Sequence, residues 1–117
     1  QLLNSVSVRT KIIDDFVASC IQNSGIEQVV VLGAGLDTRP WRLQVPATVH
    51  PASIHYYELD FAEIFNFKLP ILERLGASPN SAFEYHNVIT DLSISNVWPN
   101  QLQDAGFKTN KATVWIL

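Results

Sequence analysis

A short β-branched run that ends in two closely spaced glycines constrains the fold of this chain most strongly. Val29-Val30-Val31-Leu32 has the length and composition of a central parallel strand covered on both faces. It leads directly into Gly33-Ala34-Gly35. In an open parallel sheet, ligands bind beyond the carboxyl ends of the strands, and glycines there let the backbone approach a ligand closely. Two glycines alone also fit a tight strand-to-helix turn without a ligand.

Predicted helices and strands alternate along the rest of the chain. Apolar residues at three-and-four spacing indicate a helix over 9–21, which Ser24-Gly25 would end. The later segments are strands over 54–59, 82–88 and 112–117, and helices over 38–43, over 64–75 and from Pro99 to Gly106. Pro70 should kink the 64–75 helix or delay its start. This alternation predicts an α/β fold with a doubly wound parallel sheet.

Composition limits the classes of partner. A chain of 117 residues with 47% hydrophobic residues supports one core and is too short for two ordinary domains. Its net charge of −3 gives no basic surface for nucleic acid or an anionic membrane. No apolar run approaches the roughly 20 residues of a membrane span, and the segment from Gln1 has no signal-peptide pattern. With Cys20 as the single cysteine, no internal disulfide can form. We therefore expect a cytoplasmic protein.

An acidic residue closes the second predicted strand. Asp60 follows Gly35 by 25 positions (60 − 35 = 25), close to the roughly 20 residues at which nucleotide-binding folds place a ribose-binding acid. Glu58 lies on the same strand face and could share that role, although both could also be solvated charges. A dinucleotide fingerprint would need a third glycine where Thr38 stands. A cofactor with a ribose and no pyrophosphate, such as S-adenosylmethionine, fits better.

Several ordered motifs resemble those of the leucine carboxyl methyltransferase family. They are Val30 to Arg39, Trp41-Arg42-Leu43, Tyr57-Glu58-Leu59-Asp60, the upstream Arg9-Thr10 and Ile13-Asp14, Lys68, Asp91-Leu92, Gly106-Phe107 and Thr113 to Ile116. The resemblance covers nearly the whole chain. It implies a Rossmann-like sheet of the class I methyltransferase type, truncated after its fourth strand, and S-adenosyl-L-methionine as the cofactor.

The resemblance also implies roles for six residues. Arg9 would hold the methionine carboxylate, for which a guanidinium fork is suited. Gly33 and Gly35 would line the methionine portion, and Asp60 would bind the ribose hydroxyls. Asp91 and Leu92 would flank the adenine. Without the resemblance, Arg9 would be read as a surface helix charge and Asp91 as a turn former.

Other reactive side chains receive structural interpretations. Asp37 and Thr38 are expected to cap the short helix that follows them, and Arg39 and Arg42 to bind neighbouring carboxylates. The three histidines have no metal-ligand spacing with one another or with Cys20, so no metal site is expected. The three tryptophans are expected to pack as core or rim aromatics.

The ends of the sequence suggest that residues 1–117 are the N-terminal half of a methyltransferase domain. The chain lacks an initiator Met, and it stops within an apolar run, before the glutamate-containing segment of the family. The resemblance implies methyl transfer to an oxygen acceptor of unknown identity, with a carboxylate as the expected case. A non-catalytic binding remnant of the same fold is the alternative. The fourth strand would leave an apolar edge open to self-association.

Overall fold

The computed structural model describes the backbone of residues 2–117 and the side chains of residues 7–117. Gln1, the first residue of the segment that has no signal-peptide pattern, lies outside the described residues. In chain order, the elements are α1 (Leu2–Asn23), β1 (Gln28–Leu32), α2 (Arg39–Arg42), β2 (Ile54–Asp60), α3 (Ala62–Arg74), β3 (Phe83–Ile89), α4 (Trp98–Asp104) and β4 (Thr113–Ile116). The predicted alternation of helices and strands is confirmed, with element ends shifted by a few residues.

The four strands form one parallel sheet in the order β3-β2-β1-β4. Strand β1 lies at the centre and pairs in parallel with β2 on one side and with β4 on the other. Within the described residues, β3 and β4 are the outer strands of this sheet. The sheet confirms the predicted Rossmann-like α/β fold. Because all strands run in one direction, the segments that follow β1, β2 and β3 meet at one end of the sheet.

Helices cover both faces of the sheet. On the first face, Val17 and Ile21 of α1 pack in one apolar cluster with Val29, Val31 and Tyr56. On the second face, Leu102 of α4 packs with strand residues of alternate parity: Val30, Tyr57, Leu59 and Val88. The period-two alternation of strand side chains accounts for this division, because neighbouring residues must face opposite sides.

Two expectations about the helices need correction. Helix α1 begins at Leu2 rather than Arg9, since no glycine or proline interrupts the segment before Arg9. Its apolar stripe is only partly buried, because Ile12 and Phe16 are more than half exposed.

Pro70 lies inside α3, which begins at Ala62, so it does not delay the start of that helix. A proline in this position removes one helical N–H donor. Among the described residues, no helix combines the length and the apolar character needed to cross a membrane.

Candidate functional site

The glycine turn after β1 is bonded directly to the acid that ends β2. Gly33 and Gly35 have φ values of 77° and 53°, a left-handed conformation that favours glycine. This turn directs the Gly35 N–H to Asp60 Oδ2 at 2.8 Å. Asp60 Oδ1 accepts the Phe61 N–H at 2.7 Å. Each carboxylate oxygen therefore accepts one backbone bond and keeps a lone pair for a ligand hydroxyl.

The segment after β3 reaches the same end of the sheet. The Thr90 N–H donates to the Asp60 carbonyl at 3.0 Å, and Leu92 Cδ1 lies 4.0 Å from where a Cβ on Gly33 would stand. Asp91 Oδ1 accepts hydrogen bonds from the Ser93 hydroxyl and N–H at 2.6 and 2.9 Å. These bonds hold the pKa of Asp91 below 3.8. Asp91 thus begins a turn, as its residue type predicts, and the adjacent Leu92 lies beside Gly33.

A cavity of about 220 Å³ opens between α1 and the ends of β1 and β4. Arg9 and Thr10 of α1 line it together with Gly33, Ala34 and Leu117. Arg9 Nη2 donates to the main-chain oxygen of Leu117 at 3.2 Å. The structure therefore brings a guanidinium, two left-handed glycines, an anchored carboxylate and the Asp91-Leu92 turn to the carboxyl end of the sheet.

Comparison with known proteins agrees with this arrangement. The family model for leucine carboxyl methyltransferase matches residues 1–117. The chain belongs to the leucine carboxyl methyltransferase family. Its relatives include three proteins provisionally named S-adenosyl-L-methionine-dependent methyltransferases, from Mycolicibacterium gilvum, Mycobacterium marinum and Mycobacterium tuberculosis.

The identities to these three relatives are 39%, 36% and 40%, over 99%, 99% and 97% of this chain. The matched segments are 36%, 34% and 30% of the relatives. The chain therefore spans about a third of the length of the curated relatives that it matches.

A group of ion pairs lies beside the cavity, which Arg39 lines. Asp14 of α1 accepts from Arg39 Nε at 2.6 Å and from Arg42 Nη1 at 2.7 Å. Burial acts to raise the pKa of Asp14, but the bonds and charges of Arg42 and Arg39 outweigh it and hold the pKa below 3.8. The prediction that these arginines bind carboxylates is confirmed.

The two predicted caps of α2 behave differently. Asp37 Oδ1 accepts the Arg39 N–H at 2.9 Å, so Asp37 caps the segment. Its other oxygen pairs with the Arg39 guanidinium. Thr38 occupies the N-cap position without a side-chain bond, so its predicted capping role is wrong. Asp37 accepts the Arg39 N–H at the start of α2 instead.

Glu58 cannot share the ribose-binding role because it is fully buried. Its Oε1 accepts from Lys68 Nζ at 2.9 Å and from the Tyr85 hydroxyl at 2.5 Å. Lys68 Nζ also donates to the Asp37 carbonyl at 2.9 Å. Burial raises the pKa of Glu58, although Tyr85 and Lys68 act to lower it. This group links β2, α3 and β3 to the turn after β1.

Sequence reasoning missed this buried group. The available signal was the position of Glu58 between Tyr57 and Leu59 in a predicted strand, because a carboxylate that is buried among such residues requires a partner. The aromatic predictions are confirmed: Trp41 packs edge-on against Tyr85, and Trp98 packs edge-on against Trp115.

Proposed function

We propose that this chain forms the S-adenosyl-L-methionine-binding part of a methyltransferase that transfers a methyl group to an oxygen nucleophile, a carboxylate in the simplest case. The supporting observation is the Asp60 carboxylate, which the Gly35 N–H holds at the end of the sheet at 2.8 Å. Vicinal ribose hydroxyls need two acceptor oxygens in a fixed position, and Asp60 provides them. Membership of the leucine carboxyl methyltransferase family supports the same assignment.

The residues around Asp60 suit the remaining parts of this cofactor. The cavity of about 220 Å³ is smaller than the roughly 300–1,000 Å³ of pockets that enclose whole ligands. We assign it to the methionine portion, with the Arg9 guanidinium binding the carboxylate. Gly33 and Gly35 leave room for close approach of that portion. Leu92, which lies beside Gly33, offers an apolar contact for the adenine, and Asp91 offers an acceptor for its amino group.

In this proposal, the described residues bind and orient, and S-adenosyl-L-methionine supplies a sulfonium-bound methyl group for in-line displacement by the acceptor oxygen. Fixing the direction of approach contributes most of the rate in such a reaction, because it removes the entropic cost of aligning two reactants. No covalent intermediate with the protein is needed. Since the chain spans about a third of its relatives, we assign no acceptor-binding residue here.

The proposed partner is a small-molecule or protein carboxylate rather than nucleic acid. The net charge of −3 supports this choice, because a phosphate backbone selects basic surfaces. We also propose a cytoplasmic location, supported by the single half-buried cysteine Cys20, which requires no oxidising compartment. Recovery of the protein in a membrane or secreted fraction would contradict it.

Calorimetric titration with S-adenosyl-L-methionine tests the cofactor assignment. Asp60→Asn keeps the side-chain size but replaces one acceptor oxygen with a donor. Because hydrogen bonds to a charged group contribute about 1.5–3 kcal/mol, we expect affinity to fall about 10- to 100-fold. Asp104→Asn is the matched control, since Asp104 is exposed at the end of α4, and it should bind as the wild type does.

The outcomes distinguish the proposed cofactor site from a non-catalytic remnant and from an oxidoreductase segment. Saturable binding that weakens in Asp60→Asn but not in Asp104→Asn supports the proposal. Absence of binding by a sample with a cooperative unfolding transition would refute it and favour a non-catalytic remnant of the same fold. Binding of NADH in place of S-adenosyl-L-methionine would instead identify an oxidoreductase segment.

A further inference from the structure

Two histidines and a glutamate meet at the other end of the sheet, near the amino ends of β2 and β3. The parallel register places His55 opposite Glu84 and Tyr57 opposite His86. Glu84 and His86 are two residues apart on one strand, so their side chains share a face. Linear spacing predicts no metal site for these residues, because the pairing of two strands, and not a sequence motif, brings them together.

The ligand atoms of this group are close together. His55 Nδ1 lies 2.8 Å from Glu84 Oε2 and 3.1 Å from His86 Nε2, and His86 Nε2 lies 3.6 Å from Glu84 Oε2. A tetrahedral ion with bonds of about 2.0–2.2 Å places its ligand atoms about 3.3 Å apart. The observed distances lie on both sides of that spacing, so small side-chain rotations would let the three atoms enclose one ion.

We propose that His55, Glu84 and His86 form a binding site for a divalent transition-metal ion of the Zn²⁺ type. Two imidazole nitrogens and one carboxylate oxygen form a ligand set that such ions bind, with a fourth position open to water. Hard ions such as Mg²⁺ favour oxygen ligands and are not expected to compete. Binding would replace the hydrogen bonds among the three side chains with metal–ligand bonds.

The surroundings support this assignment. The Tyr57 ring stacks on the His86 ring with centroids 4.6 Å apart and limits its movement. The His55 and Glu84 side chains are 39% and 49% exposed, so an ion can enter from solvent.

The position of the group indicates a structural role. His55 precedes Asp60 by five residues along β2, which corresponds to about 16 Å at 3.3 Å per residue. An ion there is too far from the cofactor residues to take part in methyl transfer. It would instead fasten the edge strand β3 to β2. This inference does not depend on the proposed function.

Titration of the metal-stripped full chain with Zn²⁺ by calorimetry, and with Co²⁺ by visible absorption, tests the site. We expect one ion per chain, no response to Mg²⁺ and a higher unfolding temperature with Zn²⁺. His55→Ala, His86→Ala and Glu84→Gln should each lower affinity at least tenfold, since loss of an outer-shell partner alone costs about 10- to 100-fold. His50→Ala is the matched control, because His50 is an exposed histidine in the turn before β2.

Circular dichroism of each variant checks that the fold is retained. Glu84→Gln is nearly isosteric and half-exposed, so it carries the test if a histidine variant fails to fold. Equal Zn²⁺ affinity in the wild type and in folded Glu84→Gln and His86→Ala would overturn the proposal. Loss of affinity only in His50→Ala, or absence of saturable binding by the wild type, would overturn it as well.

Discussion

Replacing Lys68 with methionine should destabilise the protein in a pH-dependent way. Lys68 is 3% exposed, and Glu58, its partner at 2.9 Å, is fully buried. Methionine fills a similar volume and removes the charge. The substitution leaves Glu58 with the Tyr85 hydroxyl as its donor and removes the bond to the Asp37 carbonyl. An uncompensated buried charge of this kind typically costs about 3–5 kcal/mol.

Protonation of Glu58 limits this cost. Between its ordinary pKa of 4.5 and pH 7, protonation costs about 1.36 kcal/mol per pH unit, or about 3.4 kcal/mol in all. The pKa of Glu58 is already raised in the wild type, so the wild type already bears part of this free energy and the variant adds only the remainder. We therefore expect the penalty to grow by about 1–3 kcal/mol between pH 5 and pH 7. Loss of the bond to the Asp37 carbonyl adds about 1 kcal/mol at either pH.

The direction of the pH effect follows from proton linkage. A carboxyl group whose pKa is raised by folding holds its proton longer in the folded state than in the unfolded chain. Stability is therefore fully present below pH 4.5 and is lost as the pH rises through the folded-state pKa. Without Lys68 that pKa lies higher still, so the loss continues over a wider range of pH.

Urea denaturation at pH 5 and pH 7 measures this difference. Lys111→Met is the matched control, because Lys111 and its partner Glu27 are 45% and 52% exposed, and it should change stability by no more than about 0.5 kcal/mol. In the double variant Glu58→Gln/Lys68→Met, the pH dependence of the penalty should disappear. A Lys68→Met penalty of equal size at both pH values would refute the reasoning.

Three further predictions concern the turn, the tyrosines and the sheet edge. Gly35→Ala should lower the free energy of unfolding by about 1–2 kcal/mol because φ is 53°, and it should weaken S-adenosyl-L-methionine binding in calorimetry. Gly76→Ala is the control: φ is 70° at the end of α3, so this change should lower stability as much and leave the affinity unchanged. Burial raises the pKa of all three tyrosines above 10.0. The stability that the protonated tyrosines contribute at neutral pH is therefore lost as the pH rises through the raised values. Tyrosinate absorbance should appear only with unfolding, and its appearance near pH 10 in folded protein would contradict this prediction. We expect an open edge at β4 to cause concentration-dependent association, which size-exclusion chromatography detects. Trp115→Lys, at a 46% exposed position on β4, should reduce that association, whereas Phe67→Lys, at a 61% exposed position on α3, should not.

The sequence alone determined the local features of this protein. The run Val29 to Leu32, the glycines after it and the acid at Asp60 lie within single elements or their adjoining turns. Hydrophobic period and turn chemistry act over a few residues, so they can be read directly from the chain. The direction of the sheet then follows, because alternating strands and helices require parallel crossovers.

Only the tertiary structure decided which distant side chains meet. In the sequence, Glu58 looks like a solvent-facing acid near the end of a strand. In the structure, Lys68 of α3 and Tyr85 of β3 bond to it and enclose it. His55 and His86 are 31 residues apart in the sequence and become neighbours through the register of β2 and β3. Such contacts depend on strand register and helix placement. Strand register and helix placement are fixed by packing of the whole core. The neighbouring sequence of Glu58, His55 or His86 therefore does not identify the side chain that each one meets.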